Sequence, residues 1–232
     1  MSVNQTAVEW LSNNFDGRIV FPSTCSVYGA QEGELTEDSE TNPLSVYAVT
    51  KLEAEKSLVR KNAIVFRLGT LFGVGDRFSR IRMDLVVNTL TMRAYLDGKL
   101  TVFGGDQFRP VLHVRSIASW MVKALSRLEW TGVYNLARQN VRIADLAVQV
   151  RNHFPDVVIE NTPMLFEDTR NYRASSAKAE MELTYDPYSM ESIDQGIEEV
   201  KALLLSGRLK DPLHYGYSNS AFLQGKRKSE VR

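Results

Sequence analysis

Tyr47 and Lys51 stand four residues apart in Tyr-Ala-Val-Thr-Lys, inside a run (residues 44–61) rich in Ala, Leu, Glu and Lys. That composition predicts a helix, and on a helix residues i and i+4 share one face, a turn apart. A free phenol is a poor base at neutral pH because its pKa is about 10. A neighbouring ammonium stabilises the phenolate, so Lys51 is expected to acidify Tyr47. The pair then suits moving a proton off or onto an alcohol oxygen. Upstream, Phe-Pro-Ser-Thr-Cys-Ser-Val-Tyr-Gly (residues 21–29) crowds Ser23, Thr24, Cys25 and Ser26 behind an apolar stretch. A hydroxyl such as that of Thr24 can hold a substrate hydroxyl or carbonyl in place. Each motif alone has a plainer reading. Tyr and Lys share helix faces by chance, and Ser/Thr runs close turns through hydroxyl-to-backbone bonds. Together, at a strand end and on the next helix, they say more.

The elements around them alternate. Arg-Ile-Val-Phe-Pro-Ser (residues 18–23), Ala-Ile-Val-Phe-Arg-Leu (63–68), Leu-Thr-Val-Phe-Gly (100–104) and Gly-Val-Tyr-Asn-Leu-Ala (132–137) read as buried strands. Helices are predicted over residues 4–15, 44–61, 83–98, 115–128, 143–154 and 189–205, the third closed by Gly98. Phe-Gly-Gly-Asp-Gln-Phe (103–108) reads as a hairpin-like turn. Continuous apolar strands between amphipathic helices indicate a mostly parallel sheet covered on both faces. Right-handed crossovers put the strand C-terminal ends along one edge, where such sheets bind ligands. The hydroxyls of residues 23–26 are therefore expected to face a ligand crevice.

The bulk properties narrow the classes. Across 232 residues, 28 acidic and 28 basic side chains balance, so the basic excess expected of a nucleic-acid binder is missing. The locally basic tail, residues 225–232, reads as a solvated end. A single cysteine, Cys25, precludes an intrachain disulfide, and three scattered histidines lack zinc-ligand spacing. No apolar run is long enough to span a bilayer, and the first residues do not read as a signal peptide. No membrane partner and a cytoplasmic location are the expectations.

Ser-Thr-Cys-Ser-Val-Tyr-Gly, Asn-Pro-Leu-Ser-Val-Tyr-Ala-Val-Thr-Lys, Arg-Leu-Gly-Thr-Leu-Phe-Gly and Phe-Arg-Pro-Val-Leu-His-Val follow one another in order. This set resembles the extended short-chain dehydrogenases/reductases, specifically the NAD-dependent epimerase/dehydratase group acting on nucleotide-linked sugars. The resemblance implies an α/β fold: a partial doubly wound, Rossmann-like parallel sheet with a smaller C-terminal α/β substrate-binding lobe. Residues 1–75 would be the later part of the NAD-binding domain with the catalytic helix. Residues 76–232 would be mainly the substrate lobe, some segments returning to the sheet. It implies Thr24, Tyr47 and Lys51 as catalytic residues, with Tyr47 and Lys51 also meeting the cofactor, NAD or alternatively NADP. Thr24, Thr70, Asn88, Arg109 and Arg170 would contact the substrate, a nucleotide-diphosphate sugar, the arginines gripping its diphosphate. Thr70 stands where many members have Asn and Ser116 where Asp is usual; His113 reads as structural. In the family's dehydratases two acids follow the threonine, whereas here Cys25 and Ser26 do, which favours epimerisation or oxidation. The family often forms dimers through the tyrosine-bearing helix, so a homodimer using Leu52, Ala54 and Leu58 is one assembly it implies, core packing being the other.

The sequence contains no Gly-x-x-Gly-x-x-Gly turn to meet a pyrophosphate, nor the acid that would hold the adenosine ribose. The chain thus reads as the later two-thirds of such an enzyme. A fragment of a longer protein is the expectation; a half supplied by another chain and a degenerate member are the other accounts. The functional expectation is an NAD-dependent nucleotide-sugar epimerase. Its alternatives are a non-catalytic nucleotide-sugar-binding or scaffold protein, or a dehydrogenase/reductase of the same family.

Overall fold

The computed structural model describes residues 2–76, 78, 80–163, 171–219 and 221–222. In chain order the elements are α1 (Ala7–Asn14), β1 (Ile19–Thr24), β2 (Glu34–Leu35), α2 (Val46–Leu58), β3 (Ala63–Leu68), β4 (Thr70–Phe72), α3 (Val86–Asp97), β5 (Lys99–Phe103) and β6 (Phe108–His113). There follow α4 (Val114–Leu125), β7 (Gly132–Leu136), β8 (Gln139–Arg142), α5 (Ile143–Asn152), β9 (Val158–Thr162), β10 (Arg173–Ala174), α6 (Ala177–Leu183) and α7 (Ile193–Leu205).

A three-stranded parallel sheet, ordered β1-β3-β7, ends at Thr24 on one of its outer strands. All six residues of β3 are buried, as a central strand covered on both faces requires. Alternation sends Ile64, Phe66 and Leu68 to one face, where they meet Ile117 of α4 and Ala179 and Leu183 of α6. Ala63 and Val65 go to the other face and pack with Ile19 and Phe21 of β1 against Ala54 and Leu58 of α2. Ala54 and Leu58 are therefore core in this chain, and Leu52 packs beside the cluster around Tyr28. β1 pairs with β3 on one side, and among the described residues no strand pairs with its other edge.

The remaining strands form smaller sheets rather than extending this one. β4, β6 and β8 make a mixed sheet, β5 pairs with β9, and β2 with β10. The switch occurs at Gly69, whose amide still donates to Leu136 of the first sheet. A Cβ there would lie 2.9 Å from the Pro110 carbonyl oxygen, so glycine lets the two sheets approach. The Gly104–Gly105 turn is not a hairpin, because the strands flanking it, β5 and β6, belong to different sheets. The strands β2, β4, β6, β8, β9 and β10 and the helix α6 fall outside the sequence expectation. Among the described residues no helix is long and apolar enough to cross a membrane.

His113 shows why its motif is structural. It is fully buried at the end of β6, and its Nδ1 accepts from the Arg115 amide at 3.2 Å, capping α4. With Nδ1 an acceptor, Nε2–H is the donor to Glu199, 2.9 Å away, which fixes the neutral tautomer. Burial pulls this imidazole from 6.5 down to about 4, against the pull of Glu191 and with help from Arg115. The unfolded chain therefore binds the extra proton first as pH falls. His113 stabilises the fold fully above about pH 6.5, and that contribution is lost on acidification towards pH 4, by about 3 kcal/mol in all. Urea titrations from pH 7 to 4.5 should show this loss, with a shallower slope in His113→Gln; equal slopes would contradict it. Ser116, beside it, donates to Glu191, so a carboxylate reaches this position from the segment before α7.

Candidate active site

α2 begins at Ser45, whose hydroxyl accepts from the Ala48 amide at 3.1 Å. From there Tyr47, Lys51 and Glu55 repeat every fourth residue and turn one stripe of the helix toward the C-terminal end of β1. Thr24 ends β1; its Oγ1 accepts from the Ser26 amide at 3.1 Å, which fixes the side chain at the sheet edge. Thr24, Ser26, Tyr47 and Thr70 line one open cavity of about 480 Å3, joined by Arg82 and Tyr172. Thus Thr24, Tyr47 and Thr70 come together as expected from sequence. Tyr47 is 49 % exposed because it lines a crevice rather than the core.

The electrostatics differ from the sequence expectation. Burial pushes the Tyr47 phenol above its ordinary value; hydrogen bonding by Thr24 and the charge of Arg82 pull it back only in part. Lys51 is not the acidifying partner in this structure. Its ammonium donates to the Pro22 carbonyl at 2.8 Å and lies over the Phe21 ring at 4.6 Å, 6.0 Å from the centre of the Tyr47 ring. Burial lowers the Lys51 pKa, and Glu55 opposes that.

Nor do residues 23–26 all present hydroxyls to the crevice. Ser23 lines its wall, but its hydroxyl donates to Glu55. Cys25 is fully buried with Sγ on the Arg67 carbonyl at 3.1 Å, and burial drives its thiol pKa upward, so it is no nucleophile. Strand alternation explains the split, since Ser23 shares the face of Ile19 and Phe21 that meets α2.

Beneath this end of β1 lies a buried polar network that sequence reasoning missed. Glu55 and Arg67 pair at 2.8 Å with side chains only 5 and 7 % exposed. Arg67 Nη1 donates to the Tyr28 hydroxyl at 2.9 Å, and that hydroxyl donates to Asn135 Oδ1 at 2.8 Å. Burial works against the Arg67 charge, but the Glu55 bonds outweigh it and hold the guanidinium's pKa up. The signal was available: Arg67 interrupts an apolar strand, and Glu55 follows Lys51 by one helical turn.

The other expected substrate residues lie apart. Asn88 is 1 % exposed, and its whole amide serves backbone. Oδ1 accepts from the Gly73 amide at 2.9 Å, while Nδ2 donates to the Gly73 and Arg82 carbonyls at 3.1 and 2.9 Å. It pins two loops instead of facing a ligand. Arg109 is buried in β6, where Nη1 donates to the Phe108 carbonyl at 2.8 Å, and it does not line the cavity. Arg170 lies outside the described residues. Arg82 and Asn219 line the cavity without any motif to announce them.

A parallel sheet with a threonine at one strand end, and a tyrosine and lysine on the following helix, is the arrangement of a Rossmann-like α/β fold. The chain belongs to the NAD dependent epimerase/dehydratase family, which it matches over residues 1–137. It is 29% identical over 201 residues to the uncharacterized UDP-glucose epimerase YtcB of Bacillus subtilis (strain 168), a match covering 81% of this chain and 60% of that protein. The chain thus spans less than two-thirds of that curated relative. The fold is shared with the NDP-hexosamine 5,6-dehydratase TunA (TM-score 0.76, 21% identity, 90% of this chain and 71% of that one). It is also shared with MoeE5 in complex with UDP-glucose and NAD (0.72, 23%, 88% and 71%). A third match is UDP-glucuronic acid 4-epimerase from Bacillus cereus (0.72, 23%, 87% and 68%).

Proposed function

We propose that the chain carries the proton-transfer and sugar-binding part of an NAD-dependent nucleotide-sugar epimerase. In this reading residues 1–75 complete a cofactor-binding domain, and residues 76–232 mainly form the substrate lobe. The observation that carries the proposal is the single crevice shared by Thr24 and Tyr47, with no carboxylate among its described lining residues. Removing a sugar hydroxyl as water needs an acid beside the leaving group. Cys25, turned into the core, and Ser26 do not supply one. Proton transfer at a carbinol oxygen needs only a phenol and a hydroxyl to orient the substrate.

Thr24 positions the reacting hydroxyl. Tyr47 takes its proton and later returns it. An upward-shifted phenol stays protonated at neutral pH, so the form that returns a proton is the populated one; the accepting half needs the phenolate, which added positive charge beside the oxygen favours. Arg82 is the described side chain whose charge acts on the phenol. NAD, when bound, supplies the hydride acceptor and donor of such chemistry. Tyr47, on the cavity wall, would meet its nicotinamide-ribose end; Lys51 would join it there only by leaving the Pro22 carbonyl, since it does not line the cavity. A glycine-rich turn for its pyrophosphate is not found among the described residues, so this fit covers one end of the cofactor only.

The second reading is binding without turnover. It draws on the same upward shift of Tyr47 and on the engagement of Lys51 with Pro22. Thermal melting of the full chain with UDP, UDP-glucose and NAD decides whether the site binds. A ligand at one hundred times its Kd stabilises by about 2.7 kcal/mol and raises the melting temperature. Proton NMR of the same mixtures then follows the anomeric signals. A new epimer that requires NAD supports the enzyme, and binding with unchanged sugar supports the binder. Melting curves unmoved by UDP or UDP-glucose would remove both.

A further inference from the structure

We infer that residues 210–219 form a strap that closes one wall of the crevice, and that a ligand seated there holds the strap shut. The inference rests on the nucleotide-sugar reading above and concerns the gating of the same site. The strap reaches the crevice from the far end of the chain. It starts after Leu209, which is buried with Val200 and Leu203 of α7, and it ends with Asn219 on the cavity wall that Arg82 also lines.

Little apolar contact holds it. Leu213 and Tyr215 are exposed, and Tyr217 alone of the strap packs against the Leu209 cluster, partly buried. The described hydrogen bonds from the strap to distant segments go to one loop, residues 80–84. Arg80 donates from Nη1 to the Gly216 carbonyl at 3.1 Å and from Nη2 to the Asn219 side chain. The Met83 amide donates to the Tyr217 carbonyl at 2.9 Å, and the Asn219 amide donates to Asp84 at 2.8 Å. Arg80 is itself exposed. Solvent-facing bonds over few apolar contacts mark a segment that opens locally at little cost.

The same loop carries Arg82 to the crevice. Asp84 accepts from Arg82 Nε at 2.6 Å as well as from the Asn219 amide, so one carboxylate ties the strap to the arginine. The Arg82 backbone is pinned separately, its carbonyl accepting from the buried Asn88 side-chain amide at 2.9 Å. Opening the strap therefore takes Asn219 off the wall and leaves the Arg82 backbone in place. Arg80 engages the Asn219 side-chain oxygen, which leaves Nδ2 as the donor for a ligand oxygen. A ligand that meets both Asn219 and Arg82 binds the closed form better, and that difference is what shifts the equilibrium.

Hydrogen exchange of the full chain, with and without saturating UDP-glucose and NAD, tests this, calorimetric titration establishing that the sugar nucleotide is bound. In the free protein the peptide over residues 210–219 should exchange at least about tenfold faster than β3, and bound UDP-glucose should slow it at least about threefold. Arg80 lies outside the cavity lining. Arg80→Ala should speed strap exchange and weaken UDP-glucose binding by at least about threefold, because affinity falls with the fraction of closed molecules. Its melting temperature should stay near that of the wild type. A strap as protected as β3 in the free protein overturns the inference, as does strap exchange unchanged when UDP-glucose is bound. Wild-type affinity in Arg80→Ala also overturns it, whether or not the strap exchanges faster. If UDP-glucose does not bind the wild type, the nucleotide-sugar reading itself fails and takes this inference with it.

Discussion

Replacing Arg67 with methionine lowers the stability of the chain by about 3–5 kcal/mol, because it leaves Glu55 charged and buried without its partner. For a chain of this size that is a drop in melting temperature of about 10 °C or more. Glu55 also receives the Ser23 hydroxyl, and Tyr28 receives Arg67, so the loss spreads to the loop after β1. The double variant Glu55→Leu/Arg67→Met removes both charges and should recover at least half of the loss, since a buried pair is worth little against well-packed apolar groups. Calorimetry of the single and double variants measures both effects. A single-variant loss below about 1 kcal/mol would show that water already reaches the pair.

The second large effect concerns chemistry. On the proposed reaction, Tyr47→Phe lowers turnover by about a hundredfold to ten-thousandfold, the usual worth of a positioned acid/base group. Nucleotide-sugar affinity should change by less than about threefold, because the phenol is an open crevice wall and contributes little buried area. The assay is appearance of the epimer by proton NMR with NAD present. Turnover at the wild-type rate would remove Tyr47 from the mechanism, and with it the reason for placing Thr24 opposite. Because the Tyr47 pKa is shifted upward, turnover limited by phenolate formation should rise with pH through the neutral range. Arg82→Gln should move that rise to higher pH by removing the cation that acts on the phenol.

Both predictions bear on the same stripe of α2. Tyr47, Lys51 and Glu55 were placed together by their spacing, since the helical repeat is local and needs no tertiary information. What each one touches is not local. The i, i+4 rule put Lys51 near Tyr47 but could not say that the Pro22 carbonyl would take its ammonium. A charged strand residue such as Arg67 tells the reader that something must pair with it. It does not say that the partner comes from the helix on one particular face.

The sequence by itself determined the strand end at Thr24, the helix bearing Tyr47 and Lys51, the central buried strand at residues 63–68 and the family, because each rests on residue type and spacing along the chain. It also determined that residues 25 and 26 carry no acid. The tertiary structure alone decided that Ser23 and Cys25 turn inward, that the Asn88 amide is taken up by backbone, that Arg109 is buried in β6 outside the cavity lining, that the strands divide among several small sheets, and that Arg82 enters the crevice. The physical reason is that burial and hydrogen-bond partners depend on contacts between distant segments: Arg82 is oriented by Asp84 and Asn88, and Asn219 arrives from the far end of the chain.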